Sequence, residues 1–565
     1  MTTFIARAGK LIRDQLDKIR ADELAAPALA VAFAAYITRV MLQRLLLGVD
    51  TSDEALSTAL ALRFALGDRP FIDEISAAQT AGLILTPFVW LYVKVVHSTD
   101  GIVLFMRTLF LVAKLALAAT VFATIKRHLA WPLALVTSLV CVVFVPHATP
   151  SLGYNVLGSG FLTACGFIAA RRYSASGKPF DLWWAGLCGG LAALAYPPLV
   201  LPVMVLGLVL LWMPGEKRLL DFVHYLAGGG LVAVAVTPYL VRAGMGPLRV
   251  MVESGMMLAP RTPSRFFDLV LAMWTHSPVS FWVLPAIAIA LSGLKTHSKW
   301  AVWVLPFVVT SLALAFPSGL GSQHSVVIYA GLYAPAFLVL LWQDSFCRAL
   351  FFVVWIPSVL AGLVTAYTST NGEPNAAIGL FPAAMLFLVY QAVAVERLSR
   401  DAELSPSMTP MLMLGPAVLV LSLLARFNYA VYRDSPVQDL VVRVETGPYR
   451  GLWTTGERAN LVRELEQLVR RYENPAGRIF VYWESPAGYL FSSRMQPAAN
   501  TVWPIPWADQ NALLSHYRRR ITGKGFVIKV KSSSSATTVL DQYLEQNGRP
   551  LETTEHFIVT AEPAR

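Results

Sequence analysis

The stretch 51-TSDEALSTALALRFALGDRPFIDEISAAQT-80 carries four carboxylates, Asp53, Glu54, Asp73 and Glu74, directly after an apolar run in a chain otherwise poor in charge. A charged side chain at the centre of a bilayer costs about 3 kcal/mol. These acids therefore lie in water, at the interface or in a hydrated cavity. The stretch predicts a hairpin that leaves the membrane and returns to it, with carboxylates at both ends that share one cavity.

The composition around this hairpin is that of a polytopic α-helical membrane protein. Of the 565 residues, 56% are hydrophobic and 14% are charged, and apolar runs of about 20 residues, the length of a transmembrane helix, recur through the chain. We expect about thirteen spans, at 26–49, 101–125, 130–147, 154–172, 180–196, 197–213, 222–243, 268–294, 298–316, 323–342, 346–367, 376–395 and 407–426.

The net charge of +11 is explained by membrane topology rather than by nucleic-acid binding. With the N-terminus in the cytoplasm, the basic loops between these spans all fall on the cytoplasmic side, as the positive-inside rule requires. Counting 78–98 as a crossing would reverse the later loops, so that run is predicted to be a juxtamembrane or re-entrant helix. Residues 1–25 read as a cytoplasmic basic amphipathic helix rather than a cleavable signal peptide. The four cysteines have no paired spacing that indicates a disulfide framework or a zinc site.

Beyond the last span the composition becomes mixed and polar. Residues 478–484, 525–531 and 556–560 read as strands, and helical patterns occur near 455–473 and 508–520. The sequence thus predicts three parts: the helix at 1–25, a membrane domain at 26–426 with an acidic first outer loop at 50–100, and an extracytoplasmic α/β domain at 427–565.

The carboxylates also have a purely structural interpretation. Thr51 and Glu54 have the spacing of a capping box, with Asp53 in the first turn of the helix. Asp73 could likewise cap a helix that begins at Glu74.

The order of motifs resembles the GT-C superfamily of membrane glycosyltransferases, in a layout similar to its protein mannosyltransferase-like and lipid A aminoarabinose transferase-like branches. The motifs are the acidic pair after the first span, Gly-x-x-Pro-Phe-x-Asp-Glu, 100-DGIVLFMR-107, 324-HSVVIYAGLYAP-335 and 478-RIFVYWESPAGYLFSSRMQP-497. The resemblance implies an inverting glycosyltransferase in the bacterial inner membrane. Its donor would be a polyprenyl-phosphate sugar, and its acceptor a hydroxyl of a lipid, glycan or protein on the outer face.

The resemblance also implies roles for particular residues. Asp53 matches the catalytic acidic residue of the family and would deprotonate the acceptor; Glu54, Asp73 and Glu74 would position the acceptor or donor, or hold a divalent cation such as Mg²⁺ or Mn²⁺. The expected ligands of the donor phosphate are cationic: Arg69, Arg107, Arg261, Arg265 and His324. The cavity would be lined by Tyr154, Asn155 and Tyr329, whereas Arg242 and Arg249 fit snorkelling at span ends.

Two other functions compete with the enzyme. A transporter or flippase of lipid-linked sugars would place ionisable residues inside its spans and tend to show inverted repeats, whereas here the carboxylates gather in one outer loop. That pattern favours an enzyme. A membrane scaffold whose outer domain binds a partner stays open on sequence alone.

Overall fold

The fold is taken from a computed structural model, which describes residues 21–76, 78–173, 177–213, 217–249, 262–275, 323–401, 412–429, 431–482, 485–501, 510–531 and 538–563. Four of the predicted features, the helix at 1–25 and the spans 268–294, 298–316 and 407–426, lie wholly or partly outside these residues. Arg261 also lies outside them.

The membrane region is helical throughout its described part. Its helices are α1 (Ala21–Arg44), α2 (Asp53–Ala65), α3 (Gln79–Val96), α4 (Ile102–Ile125), α5 (Trp131–Ser138), α6 (Val140–Val143), α7 (Tyr154–Arg171), α8 (Pro179–Ala195), α9 (Val200–Trp212), α10 (Arg218–Ala243), α11 (Pro263–Thr275), α12 (His324–Tyr333), α13 (Pro335–Leu341), α14 (Ser345–Leu350), α15 (Ile356–Thr368), α16 (Ala376–Asp401) and α17 (Leu414–Tyr429).

Six helical segments in the described residues are long and apolar enough to cross a membrane, and the chain is an integral membrane protein. They are Leu24–Arg44, Gln79–Val96, Ile102–Ile125, Arg218–Ala243, Ser345–Thr368 and Glu373–Arg397, with shorter apolar helices at Trp131–Val143, Pro197–Trp212 and Leu414–Tyr429. The count of thirteen stays a prediction. So does the interfacial position of 78–98, since α3 has the length and composition of a span.

Helix α16 forms the centre of the membrane region. Side chains around its circumference are buried, because it packs against α12, α15 and α7. A helix that is apolar on all faces is stable only when surrounded in this way. Both α7 and α16 begin beside the short Pro146–Ala148 turn, where His147 Nε2 lies 2.9 Å from Asn375 Oδ1.

The C-terminal domain, residues 431–563, contains a mixed five-stranded sheet in the order β4-β3-β5-β7-β6. Strand β3 runs parallel to β4 and β5, and β5 pairs antiparallel with β7. The strands are β1 (Val442–Arg443), β2 (Trp453–Thr454), β3 (Arg478–Tyr482), β4 (Gln496–Pro497), β5 (Phe526–Val530), β6 (Pro550–Thr553) and β7 (Phe557–Ala561); the helices are α18 (Gly456–Tyr472), α19 (Gln510–Arg520) and α20 (Val539–Asn547). The predicted strands and the two helical patterns are confirmed.

The C-terminal domain packs directly on the acidic loop. Backbone hydrogen bonds join Trp453 N to Leu46 O (2.8 Å) and Ala487 N to Thr51 O (3.0 Å), and the Tyr449 hydroxyl donates to Asp50 O (2.8 Å). These bonds fix the backbone that leads from the end of α1 to the start of α2. The domain is therefore part of the framework that positions the carboxylates.

Candidate active site

Helix α2 begins at Asp53, and the side chain that caps it is Asp50 rather than Thr51. One Asp50 oxygen accepts from Ser52 N (2.9 Å) and Ser52 Oγ (2.7 Å), and the other accepts from Glu54 N (2.9 Å). The predicted capping box of Thr51 and Glu54 is wrong, because the helix begins after Ser52 and Asp50 accepts the N–H group of Glu54 in the first turn.

Glu54 and Arg107 form a buried ion pair. Arg107 donates to both Glu54 oxygens (2.6 and 2.7 Å) and to three carbonyls at the end of α1, those of Leu45, Leu47 and Gly48 (2.7 to 3.0 Å). The five N–H groups of an arginine are thereby all used, and both side chains are buried. In this structure Arg107 is occupied, and both Glu54 oxygens face Arg107. The predicted roles of Arg107 at the donor phosphate and of Glu54 at a substrate or cation stay predictions.

Glu74 is buried in the same manner by Arg63. The guanidinium of Arg63 contacts Glu74 and Asp68 and donates to Asp73 O (2.7 Å) and Thr501 Oγ1 (2.9 Å). Glu74 also accepts from Thr501 N (2.8 Å). Both side chains are fully buried, and Glu74 fastens the C-terminal domain to the loop. Its predicted role toward a substrate or a cation stays a prediction.

Asp73 does not cap a helix, because the next helix begins at Gln79. Its carboxylate is held by two arginines: Arg69 at 3.0 Å and Arg520 of the C-terminal domain at 2.5 Å. Burial alone would raise the pKa of Asp73, but hydrogen bonds from Arg69 and the charge of Arg520 lower this pKa to about 2. Arg69 is exposed and paired with Asp73, and its role toward a phosphate stays a prediction.

Asp53 differs from these three carboxylates in being half exposed, with 50% of its side chain accessible. Its Oδ2 atom accepts a hydrogen bond from the Tyr432 hydroxyl and lies 3.4 Å from Nη2 of Arg433. Burial and the bond to Asp53 raise the pKa of Tyr432 to about 12, so the phenol stays protonated and donates. The four acids have different side-chain partners, and Asp53 is the most exposed of them. A cavity shared by the four stays a prediction.

A polar cluster of membrane-region residues lies near Asp53. His147 Nε2 is 2.9 Å from Asn375 Oδ1, and its backbone N–H donates to His324 Nε2 (3.2 Å). Burial lowers the pKa of His147, while the hydrogen bond with Asn375 and then the charge of Asp53 act in the opposite direction. His147 and Ala148 are both left-handed, at φ 55° and 54°, a strained geometry for residues other than glycine.

The predicted lining residues lie in or beside this cluster. Tyr154 begins α7 next to the Ser57 side of α2, and its ring meets that of Tyr196 edge-on at 5.2 Å. Asn155 follows it, with a buried Oδ1 that makes no hydrogen bond within the described residues. Tyr329 is buried in α12, the helix that His324 begins. Their contact with a substrate stays a prediction.

Of the remaining predicted cations, Arg265 is placed by the structure in α11. It donates to Ser369 O at 2.5 Å, at the end of α15 and close to Asn375, which bonds Ser369 through its side chain (2.6 Å). Arg242 ends α10. Within the described residues, no three His, Cys, Asp or Glu side chains come together as metal ligands. The pairing of Glu54 and Glu74 with arginines does not fit the predicted cation.

Sequence analysis missed Tyr432, Arg433, Arg63 and His147. The signal for the first two was present: 431-VYRD-434 follows directly on the last apolar helix, at the same membrane face as the first acidic pair. Arg63 interrupts the apolar face of α2, and an arginine in such a position needs a buried acid.

No protein-family model and no curated protein matches the chain. Among solved structures it is similar to the archaeal oligosaccharyltransferase AglB from Archaeoglobus fulgidus, in complex with an inhibitory peptide and a dolichol-phosphate, at 11% identity over 89% of this chain and 69% of that one (TM-score 0.46). It is also similar to ArnT from Cupriavidus metallidurans in the apo state, at 12% identity over 95% and 98% (TM-score 0.42). The third is ArnT bound to undecaprenyl phosphate, at 13% identity over 95% and 98% (TM-score 0.41).

Proposed function

We propose that this membrane protein is an inverting glycosyltransferase of the GT-C type, with Asp53 as its general base. The observation that carries the proposal is the division among the acids of the loop. Glu54, Glu74 and Asp73 are bound by Arg107, Arg63 and Arg520, whereas Asp53 keeps half of its side chain in solvent. An accessible carboxylate within hydrogen-bond reach of a hydroxyl is what a general base requires.

The proposed reaction is a displacement at the anomeric carbon of a polyprenyl-phosphate sugar. The Asp53 carboxylate takes the proton of the acceptor hydroxyl, and the acceptor oxygen uses its freed electron pair to form a bond to the anomeric carbon. The bond from that carbon to the phosphate oxygen breaks, and its electron pair leaves with the polyprenyl phosphate. Attack opposite the leaving phosphate inverts the configuration, and a nearby carboxylate also stabilises the positive charge that develops on the sugar ring.

The departing phosphate needs cationic donors. Since Arg107 is fully occupied by Glu54 and backbone carbonyls, we assign this role to Arg265, on the side of His147 and His324. A chain of hydrogen bonds connects Arg265 to His147: Arg265 bonds Ser369, and Asn375 bonds both Ser369 and His147. We place the reaction on the outer face of the bacterial inner membrane, with a lipid, glycan or protein hydroxyl as acceptor.

The test is turnover of a radiolabelled polyprenyl-phosphate sugar by the purified full-length protein in lipid nanodiscs, with a total membrane-lipid extract supplied as acceptor pool. We expect labelled product of inverted anomeric configuration, measured by NMR. Donor lipid that stays intact in nanodiscs but moves between the leaflets of proteoliposomes would contradict the proposal and favour a flippase.

A further inference from the structure

Segment 431–434 joins α17 to the C-terminal domain and is fastened beside the start of α2. Asp434 Oδ2 accepts from Val49 N (2.8 Å) and Thr454 Oγ1 (2.6 Å), and Arg433 O accepts from Arg458 (2.7 Å). Anchors on both the loop and the domain hold the segment where Tyr432 and Arg433 reach Asp53. The contact with Asp53 is thus specified by several neighbouring bonds.

Arg433 is in the left-handed region, with φ 54°. This conformation costs an arginine about 1 kcal/mol or more and persists only where the surroundings impose it. Here it directs the guanidinium to Ser52 Oγ and toward Asp53, and brings its Nε to within 3.2 Å of the Tyr432 hydroxyl. Strain of this kind tends to be kept at functional sites.

The bond between Tyr432 and Asp53 is one hydroxyl donating to one carboxylate oxygen. A general base forms the same bond with the hydroxyl that it is about to deprotonate. The phenol stays protonated at neutral pH and keeps donating, because its pKa is raised to about 12, by burial first and then by the bond to Asp53. It can leave, however, because Asp53 and Arg433 both remain about half exposed.

We infer that Tyr432 occupies the place of the acceptor hydroxyl on Asp53, and that the acceptor enters from the side of segment 431–434 and displaces this phenol. The inference rests on the proposed function and adds the side of approach. Tyr432 is a positioning residue: it keeps Asp53 oriented and occupies its Oδ2 atom until the acceptor hydroxyl replaces it. The donor phosphate then lies on the far side of the sugar carbon, toward His147 and His324, because inversion requires attack opposite the leaving group.

The experiment compares wild type, Tyr432→Phe and Asp53→Asn as full-length proteins in nanodiscs. It uses the labelled polyprenyl-phosphate sugar as donor, with water alone or a titrated membrane-lipid extract as acceptor. The substitution by phenylalanine keeps the aromatic ring and removes the hydroxyl that donates to Asp53. We therefore expect the rate at which free sugar is released to water to rise about tenfold. The apparent acceptor KM should fall by a similar factor, with the donor KM unchanged.

The split between the two KM values separates this role from a merely structural one, because a general loss of structure would change the KM of donor and acceptor alike. The matched control is Tyr472→Phe, whose hydroxyl bonds Glu552 on the domain surface, and its kinetics should equal those of wild type.

A Tyr432→Phe variant with unchanged acceptor KM and unchanged release of sugar to water would overturn the inference. So would a lower kcat at unchanged acceptor KM. The proposed function and the role of Tyr432 fail by different results. If wild type transfers no sugar, the proposed function fails. If wild type transfers sugar and Asp53→Asn does not, only the role of Tyr432 is in question. Melting temperatures of all variants exclude loss of fold as the cause.

Discussion

At the residue scale, the arginine beside each carboxylate of the loop determines whether that carboxylate is buried in an ion pair or accessible. Glu54 and Glu74 each face a guanidinium that is itself buried, and a buried charge is tolerated only when it is paired and hydrogen-bonded. Asp53 faces Tyr432 and Arg433 at a surface that stays open. The same chemical group is thus structural at two positions and available for chemistry at a third.

Arg107→Met should lower the stability of the protein strongly. The substitution leaves Glu54 buried without its partner, which costs about 3 to 5 kcal/mol, and it releases three carbonyls at the end of α1. Adding Glu54→Leu should restore part of the loss, because an apolar pair removes the unpaired charge. Thermal unfolding in nanodiscs measures both; a single variant that melts as wild type would show that the pair is not needed.

At the element scale, the sequence predicted strands and helices of the C-terminal domain well, because each has a clear period. Strand β3 lies within 478–484 and β5 within 525–531, and α18 fills 455–473 almost completely. The helix start predicted at Asp73 is wrong. Aspartate is a common helix-capping residue, but the Asp73 carboxylate is paired with Arg69 and Arg520 instead. A local sequence pattern predicts a periodic helix or strand. It does not predict that a side chain will bind a partner distant in sequence.

The contact between the end of α1 and segment 431–434 depends on Gly48. Its φ is 87°, and a Cβ atom there would lie 2.0 Å from Val431 Cγ1. Gly48→Ala should therefore cost about 1 to 3 kcal/mol from overpacking in addition to backbone strain. Gly244→Ala is the matched control, because Gly244 has φ 70° but a Cβ atom there would meet no heavy atom within 4 Å among the described residues. Equal melting temperatures for the two variants would contradict the role of the contact.

At the scale of the whole molecule, the C-terminal domain and the acidic loop share one network of charges. Arg520 reaches both Asp68 (2.9 Å) and Asp73 (2.5 Å) across more than four hundred residues of sequence. The sequence predicted a domain after the last span and acids in the first loop, but no local pattern indicates that Arg520 pairs with Asp68 and Asp73. This part of the site could not be predicted, because only the folded chain brings these residues together.

Arg520→Ala should loosen the docking of the C-terminal domain on the loop. Asp68 and Asp73 would lose a buried cation, and the amides of residues 66–76 and 496–501 should exchange hydrogen faster as local opening becomes easier. Arg519→Ala removes a neighbouring exposed arginine and should leave exchange unchanged. Hydrogen-deuterium exchange with mass spectrometry measures this, and equal protection in the two variants would argue against the network.

The same interface should weaken as the pH falls from about 6.5 to about 4. Burial, and then the charge of Arg520, lower the pKa of His516 from 6.5 to about 4. The unfolded chain therefore binds more protons than the folded one in this window, and stability falls with decreasing pH by up to about 1.4 kcal/mol per unit. His516→Asn should flatten the dependence of melting temperature on pH between these values. An unchanged slope would show that His516 is not responsible.

The central claim is that Asp53 is the one acid among the four that is available for chemistry. The most direct test measures sugar transfer and melting temperature together in Asp53→Asn, Glu54→Gln and Glu74→Gln. We predict that Asp53→Asn loses about 10²- to 10⁴-fold in rate with an unchanged melting temperature, whereas the two glutamate variants melt at lower temperature. Transfer by Asp53→Asn at the wild-type rate would contradict the claim.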